Sequence, residues 1–351
     1  MKKYQIYEKI ADQNHAGSKA VTDVYRVALR LGYAPVVITM QTLNGSLWGK
    51  IVRQIRWLHD WFLALLLIER NSIVLLQNPF HHKQINRRII LILLKKWKNI
   101  RFISIVHDVE ELRRDRFNEY YKNEFQIMRS LSDVVIVHND VMKQWFIKKG
   151  VSEEKIVVLR IFDFLRESTR RGAVLFSRRI NIAGNLDISK SKYVYSLEKL
   201  TDLKFTLFGP NYRGSKATNV EYRGSLKAKD LELALKSGFG LVWDGDSIDT
   251  CAGNTGKYLR YNSPHKLSLY LALGLPVIIW REAAQAEYVI ANKVGICVNS
   301  LKDLGEMVSH INEEDFECFR KNCEQVSLKL SNGFYTEAAL AMAQKKLENA
   351  V

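Results

Sequence analysis

Short apolar runs alternate with helix-length stretches along most of the chain, and this alternation restricts the fold more than any other feature. The runs at 34–39, 72–77, 101–106, 134–137 and 157–159 are rich in Val and Ile and too short to be helices. Parallel neighbours in a sheet need a crossover between them, so a strand–helix–strand rhythm implies a parallel sheet with helices on both faces. A charged, poorly periodic stretch at 166–179 interrupts the rhythm, which resumes at 181–183, 204–208, 239–243 and 276–280. The reading is α/β, with two Rossmann-like doubly wound domains over 1–165 and 166–334 and a helix over 335–351 that can pack on either. At 351 residues the chain is long for one core and sufficient for two domains of about 150 residues each. Ligands of such sheets sit at the carboxyl ends of the strands, so a cleft between facing domains is the expected site.

The formal charge of +16 is uneven: residues 1–165 hold 27 Lys and Arg against 16 Asp and Glu, which leaves +5 for the rest. In the first domain the basic residues interleave with apolar runs at 50–68 and 87–98, near Trp48, Trp57, Trp61 and Trp97. Neither run has the roughly 18–20 consecutive apolar residues needed to span a bilayer. Ordinary helices packed on a sheet account for most of these residues, and an anionic membrane surface is the partner that the basic and aromatic mixture fits. Polar sequence after Met1 gives no export signal, and Cys251, Cys297, Cys318 and Cys323 have neither zinc-site nor disulfide-scaffold spacing. A cytoplasmic protein with reduced thiols, peripheral on the inner face of the cell membrane, is the expectation. With no nucleic-acid module present, no nucleic acid is expected despite the basic pI; a homo-oligomer stays open.

Three loops at strand ends of the second domain carry candidate ligand groups. Gly184 and Asn185 follow the run at 181–183, with Lys190 shortly after; Gly209 and Tyr212 follow 204–208, with Gly224 beyond; Asp244 follows 239–243. A helix then opens at Asn262-Ser-Pro-His-Lys-Leu, with Ser263 as N-cap, Pro264 in the first turn, and Gly274 as its stop. Stability favours acidic side chains at a helix start, so His265 and Lys266 there suit an arriving anion. Together the loops suggest a diphosphate site with Lys190 and Lys266 as cations and Gly184 as the gap. No Walker or G-x-G-x-x-G pattern occurs. Asp244 and Asp246 invite a divalent metal, but a cationic helix start does the same electrostatic work, so neither a metal nor a cofactor is expected.

The segments His107-Asp-Val-Glu-Glu-Leu-Arg113, Ala183-Gly-Asn-Leu186, Phe205-Thr-Leu-Phe-Gly209, 238–247 and 262–271 resemble the GT-B glycosyltransferases. Within them, the chain resembles bacterial β-1,6-galactofuranosyltransferases of O-antigen and capsule clusters and, more distantly, glucosyltransferases that extend glycans on adhesins. The resemblance implies a UDP-sugar donor held mainly by the second domain and a glycan acceptor, lipid-linked in O-antigen or capsule synthesis. It implies no bound catalytic metal, and gives Gly17 the task of letting the donor sugar approach the first helix. The arginine of the common G-R-L-x-x-x-K pattern is replaced by Asn185, while Lys190 remains. The two glutamates of the E-x7-E pattern found in many retaining members fall on Tyr261 and Leu269, which favours inversion.

Inversion needs a base for the acceptor hydroxyl. Asp108 after the run at 101–106 is the first candidate, His107 beside it, Glu110 and Glu111 as alternatives; an N-cap role for Asp108 is the structural reading. The expected activity is transfer of a hexosyl unit, galactofuranose foremost. Glucosyl or N-acetylglucosaminyl transfer to a glycoprotein is the nearest alternative, and a non-catalytic nucleic-acid-binding protein is the alternative of another class.

Overall fold

The computed structural model describes residues 1–10, 16–40, 46–166 and 174–349. The chain divides into two compact units, each built on a six-stranded parallel sheet. The first comprises Met1–Glu111, Arg116–Leu159 and Thr336–Val351; the second comprises Leu112–Asp115 and Arg160–Tyr335.

The first sheet contains β1 (Lys3–Ile10), β2 (Ala34–Met40), β3 (Ile73–Asn78), β4 (Arg101–Val106), β5 (Val134–Val137) and β6 (Ile156–Val158), in the order β2-β1-β3-β4-β5-β6. The helices are α1 (Ala16–Arg30), α2 (Leu47–Leu67), α3 (Arg87–Trp97), α4 (Glu110–Arg113), α5 (Glu119–Leu131) and α6 (Asp140–Lys148). Short polar residues start several of them: the side chains of Ser46, Asn118 and Asn139 accept from the amides of Gly49, Tyr121 and Met142. On one face of this sheet Tyr4, Ile6, Val36, Ile38, Val74 and Leu76 pack with Trp57, Trp61, Leu91 and Leu94 of α2 and α3. The strand β1 was not among the expected runs, because its apolar residues alternate with Gln5, Glu8 and Lys9. Gln5 is nevertheless buried and donates to the carbonyls of Tyr25 and Tyr33.

The second sheet contains β7 (Leu175–Ala183), β8 (Lys204–Phe208), β9 (Val220–Tyr222), β10 (Ser237–Val242), β11 (Val277–Trp280) and β12 (Gly295–Val298), in the order β12-β11-β10-β7-β8-β9. Around it lie α7 (Ile188–Ser191), α8 (Ala228–Ala234), α9 (Gly253–Tyr258), α10 (His265–Ala272), α11 (Ala286–Ala291), α12 (Leu304–Ser309) and α13 (Glu313–Asn332). The strand order reverses between β7 and β10, the place where parallel sheets of this kind open a crevice for ligands. The buried side chain of Asn181 pins the junction by donating to the carbonyls of Ser237 and Phe239, where the register shifts.

The strand read at 181–183 is the end of a nine-residue one, β7, which reaches back into the stretch read as an interruption. Its arginines hid it. Arg178 donates to the carbonyls of Val308, Ser309 and Ile311, and Arg179 bonds Thr206 and pairs with Glu221, so both are structural despite their charge. The units part at Leu159/Arg160, where the sequence reading put the boundary at 165/166. The last helix, α14 (Phe334–Asn349), packs with the first unit: Gln344 donates to the Tyr33 hydroxyl at 2.8 Å and Lys346 to the Glu154 carbonyl at 2.7 Å.

Candidate donor-binding site

The strand ends of β7, β8 and β9 are drawn together by backbone bonds. The Gly184 amide donates to Phe208 O at 3.0 Å, and the Gly209 amide to Gly224 O at 2.9 Å. Gly209 has φ +145°, and a Cβ on it would stand 1.7 Å from the Gly184 carbonyl oxygen, so only glycine fits. A Cβ on Gly184 would meet open space, so a ligand can approach the backbone there. Tyr212 stands over this edge in a ladder of rings, with centroids 5.3 Å from Tyr195 and 4.9 Å from Tyr222. The Tyr195 hydroxyl donates to Leu186 O and accepts from the Arg213 amide, fixing the two loops to each other. Burial raises the Tyr212 phenol above its ordinary range.

Across the switch point, the loop after β10 meets the loop after β7. The Lys190 carbonyl accepts from the Gly245 amide at 3.3 Å and from the Thr255 hydroxyl at 3.1 Å. The Asn185 side-chain oxygen Oδ1 accepts from the Asp187 amide and from the Asn211 side chain, which makes Asn185 a brace between loops. Asp187 in turn caps α7 through Ser189, whose hydroxyl and amide hold the carboxyl below its usual range.

The helix α10 brings in the remaining groups. Lys266 and Tyr270 are four residues apart, hence on one face. Lys266 Nζ lies 2.7 Å from Asp244 Oδ1 and donates to Trp243 O at 2.9 Å, while the Ala183 amide donates to the Tyr270 hydroxyl at 2.7 Å. This close seating of α10 on the sheet needs Gly240, because a Cβ there would stand 2.2 Å from the Tyr270 ring. Asp244, Lys190, Gly184 and Lys266 are thus linked through adjacent loops around one strand junction.

The start of α10 differs from the sequence reading. Pro264 occupies the N-cap position itself, no side chain caps the helix, and the first helical residue is His265. Ser263, expected as the cap, instead donates to Arg160 O and accepts from Gln285, because the extended Pro264 (ψ 135°) turns the Ser263 hydroxyl away from the helix amides. The His265 ring stacks on Phe162 with centroids 5.1 Å apart.

In the first unit, His107 and Asp108 follow β4 as expected. His107 Nε2 lies 2.8 Å from Gln77 Oε1, and Gln77 donates to Val21 O, which orients the imidazole. Asp108 lines a small pocket with Asn78, Pro79, Val109 and Tyr121. Of its neighbours, Glu111 is engaged in an ion pair with Lys149, and Glu110 is buried and accepts from the Arg116 amide. Gly17 falls in the first turn of α1, and the preceding Asn14 and His15 lie outside the described residues.

Two groups escaped the sequence reading. Tyr270 was hidden in an oily helix, and only its spacing from Lys266 could have marked it. Glu8, at the carboxyl end of β1, accepts from Gln84, beside the buried Arg87–Glu124 pair; burial pushes its carboxyl up to about 7. Among the described residues no three His, Cys, Asp or Glu side chains stand together in a metal-holding group, and the Asp244 carboxylate is engaged with Lys266.

Two halves of one family match the two halves of this chain. The descriptions are "Glucosyltransferase 3-like, N-terminal domain" over residues 3–161 and "Glucosyltransferase 3-like, C-terminal domain" over residues 180–343. The chain is also 33% identical over 328 residues to β-1,6-galactofuranosyltransferase WbbI of Escherichia coli (strain K12), covering 91% of this chain and 92% of that one. The chain belongs to the Glucosyltransferase 3-like family. It is therefore a member of a glycosyltransferase family, and it is 24% identical over 323 residues to glucosyltransferase 3 of Streptococcus gordonii, with 92% of each chain covered. Its fold is GT-B: the solved structure of Anabaena HepE in complex with UDP and glucose matches with a TM-score of 0.60 at 11% identity, over 98% of this chain and 99% of that one.

Proposed function

We propose that the protein transfers a galactofuranosyl unit, with inversion, from UDP-galactofuranose to a glycan acceptor that is lipid-linked in O-antigen or capsule synthesis. The observation that carries the UDP-sugar part is the meeting of Gly184, Lys190, Asp244 and Lys266 at the β7/β10 switch point, beside a helix start without a side-chain cap. Helix amides and lysine ammonium groups stabilise the charge that grows on a departing diphosphate. A lysine has three donors, and two of those of Lys266 go to Asp244 and Trp243, which leaves one for a phosphate oxygen. HepE, which shares the fold, is solved with UDP and glucose.

The sugar assignment draws on the 33% identity to a β-1,6-galactofuranosyltransferase. Inversion draws on Tyr261 and Leu269 at the positions of the E-x7-E glutamates. Asp108 is the proposed base, because it follows the carboxyl end of β4 and lines the pocket there with Asn78 and Tyr121. The second reading is glucosyl or N-acetylglucosaminyl transfer to a glycoprotein, and the glucosyltransferase 3 relative favours it. A donor panel read by UDP release separates the two: turnover with UDP-galactofuranose is expected, and turnover with UDP-glucose alone would replace the first reading by the second.

A further inference from the structure

The helix α2 is apolar on two faces, and the sheet uses one of them. Trp57, Trp61 and Ala64 are buried in the core. The second face carries Trp48, Ile51, Ile55, Leu58, Phe62 and Leu66, all exposed, with Trp48 at 73%, Ile55 at 59% and Leu66 at 60%. At 100° per residue these six fall within roughly a quarter-turn of the helix surface, so they form one stripe. The stripe continues onto the segment leading into α3. Gln54 holds that segment by donating to Lys83 O and accepting from the Ile85 amide, and Ile85 and Ile89 are exposed beside it at 71% and 59%. A continuous apolar surface of this kind on a soluble chain marks a place where something docks.

The charge around the stripe selects the occupant. Residues 46–98 contain ten Lys and Arg and two acidic residues. Of those two, Asp60 accepts from the Thr39 amide and Glu69 pairs with Lys2, so neither faces the stripe. Lys50 and Arg56, both exposed, flank it on opposite sides, and Arg88 and Lys96 are exposed on α3. A second copy docked by a two-fold axis would oppose these cations to their own counterparts. An anionic bilayer complements both features, since apolar and indole side chains enter the headgroup boundary while Lys and Arg meet lipid phosphates. No described helix is long and apolar enough to cross a membrane, so the contact is with its surface.

We propose that the exposed α2 stripe, with Ile85 and Ile89 and the flanking Lys50, Arg56 and Arg88, is a docking surface for an anionic lipid bilayer. The inference is independent of the donor sugar.

Co-sedimentation of the full chain with phosphatidylcholine vesicles, with and without phosphatidylglycerol, tests it. The expected result is pelleting with the anionic vesicles, weakened by salt, and a loss of at least about tenfold in partitioning for Ile51→Ser/Ile55→Ser/Leu58→Ser. Lys50→Glu/Arg56→Glu should remove the preference for phosphatidylglycerol. An unchanged circular-dichroism spectrum and thermal melt show that both variants fold, and unchanged UDP binding by calorimetry keeps this inference separate from the donor site. Wild-type protein that stays in the supernatant, or a triple variant that pellets as before, overturns the proposal. A dimer in light scattering that the triple variant dissociates, without vesicle binding, assigns the stripe to a second copy and equally overturns it.

Discussion

The ammonium of Lys266 and the carboxylate of Asp244 form an ion pair at 2.7 Å that joins the start of α10 to the end of β10, beside the point where the strand order reverses. The pair sets the lysine in place and also offsets its charge. Asp244→Asn keeps a hydrogen-bonding partner for the lysine and removes the anion nearest the proposed diphosphate. Its affinity for UDP, measured by calorimetry, should equal or exceed that of the wild type. A fall of about tenfold or more would instead give Asp244 a direct contact with the donor.

Tyr270 links the same helix to the end of β7 through the Ala183 amide. Tyr270→Phe leaves that buried amide without its partner at nearly constant volume, so unfolding free energy should fall by about 1–3 kcal/mol in a urea titration. Gly240→Ala drives a methyl into the Tyr270 ring, and Gly209→Ala drives one into the Gly184 carbonyl. The ring has some freedom to move and the backbone has little, so Gly209→Ala should be the more destabilising of the two.

Glu8 gives the first unit a pH dependence of known sign. Burial raises its folded pKa from 4.5 to about 7, so folding favours the protonated form. The stability this group contributes is fully present below about pH 4.5 and is lost as pH rises through about 7. By linkage the difference is on the order of 3 kcal/mol, less what the exposed fringe of the side chain screens. Burial of Glu124 acts in the same direction, though Arg87 opposes it in both. Because the lowered pKa of His82 acts in the opposite sense, the test is the difference: in urea titrations at pH 5 and pH 8, the change in stability toward pH 5 should be more favourable for the wild type than for Glu8→Gln.

Asp108→Asn should bind UDP as the wild type does and lose roughly a hundredfold or more in turnover, as expected when a general base is removed. Single-turnover rates with a competent acceptor give the comparison. Full turnover in this variant would move the base elsewhere, with Glu8 the next carboxyl to replace.

The two-sheet α/β architecture was legible because fully buried parallel strands must be short and apolar: each of the nine expected runs coincides with a strand, while β1 and the short β9 and β12 were not among them. Strands β1 and β7 were missed or shortened where polar residues are buried with partners: Gln5 on two carbonyls, Arg178 on three, Arg179 on Thr206 and Glu221. Residue type cannot show that a charge is satisfied by distant backbone. The same limit explains the cap of α10. Serine before proline is a good N-cap by local rules, yet Arg160 and Gln285, more than twenty residues away on either side, engage its hydroxyl. The convergence of Gly184, Lys190, Asp244 and Lys266 was legible because strand ends of one sheet must lie on one side. Their pairing was not, since nothing in the order of residues says that Lys266 meets Asp244.

The central claim is that the β7/β10 junction receives the diphosphate of a UDP-linked donor. Calorimetric titration of UDP into the folded chain and into Lys266→Ala tests it most directly. The claim predicts one site per chain in the wild type and an affinity at least about tenfold weaker in the variant. Absence of heat with the wild type, or equal affinity in the two proteins, would contradict it.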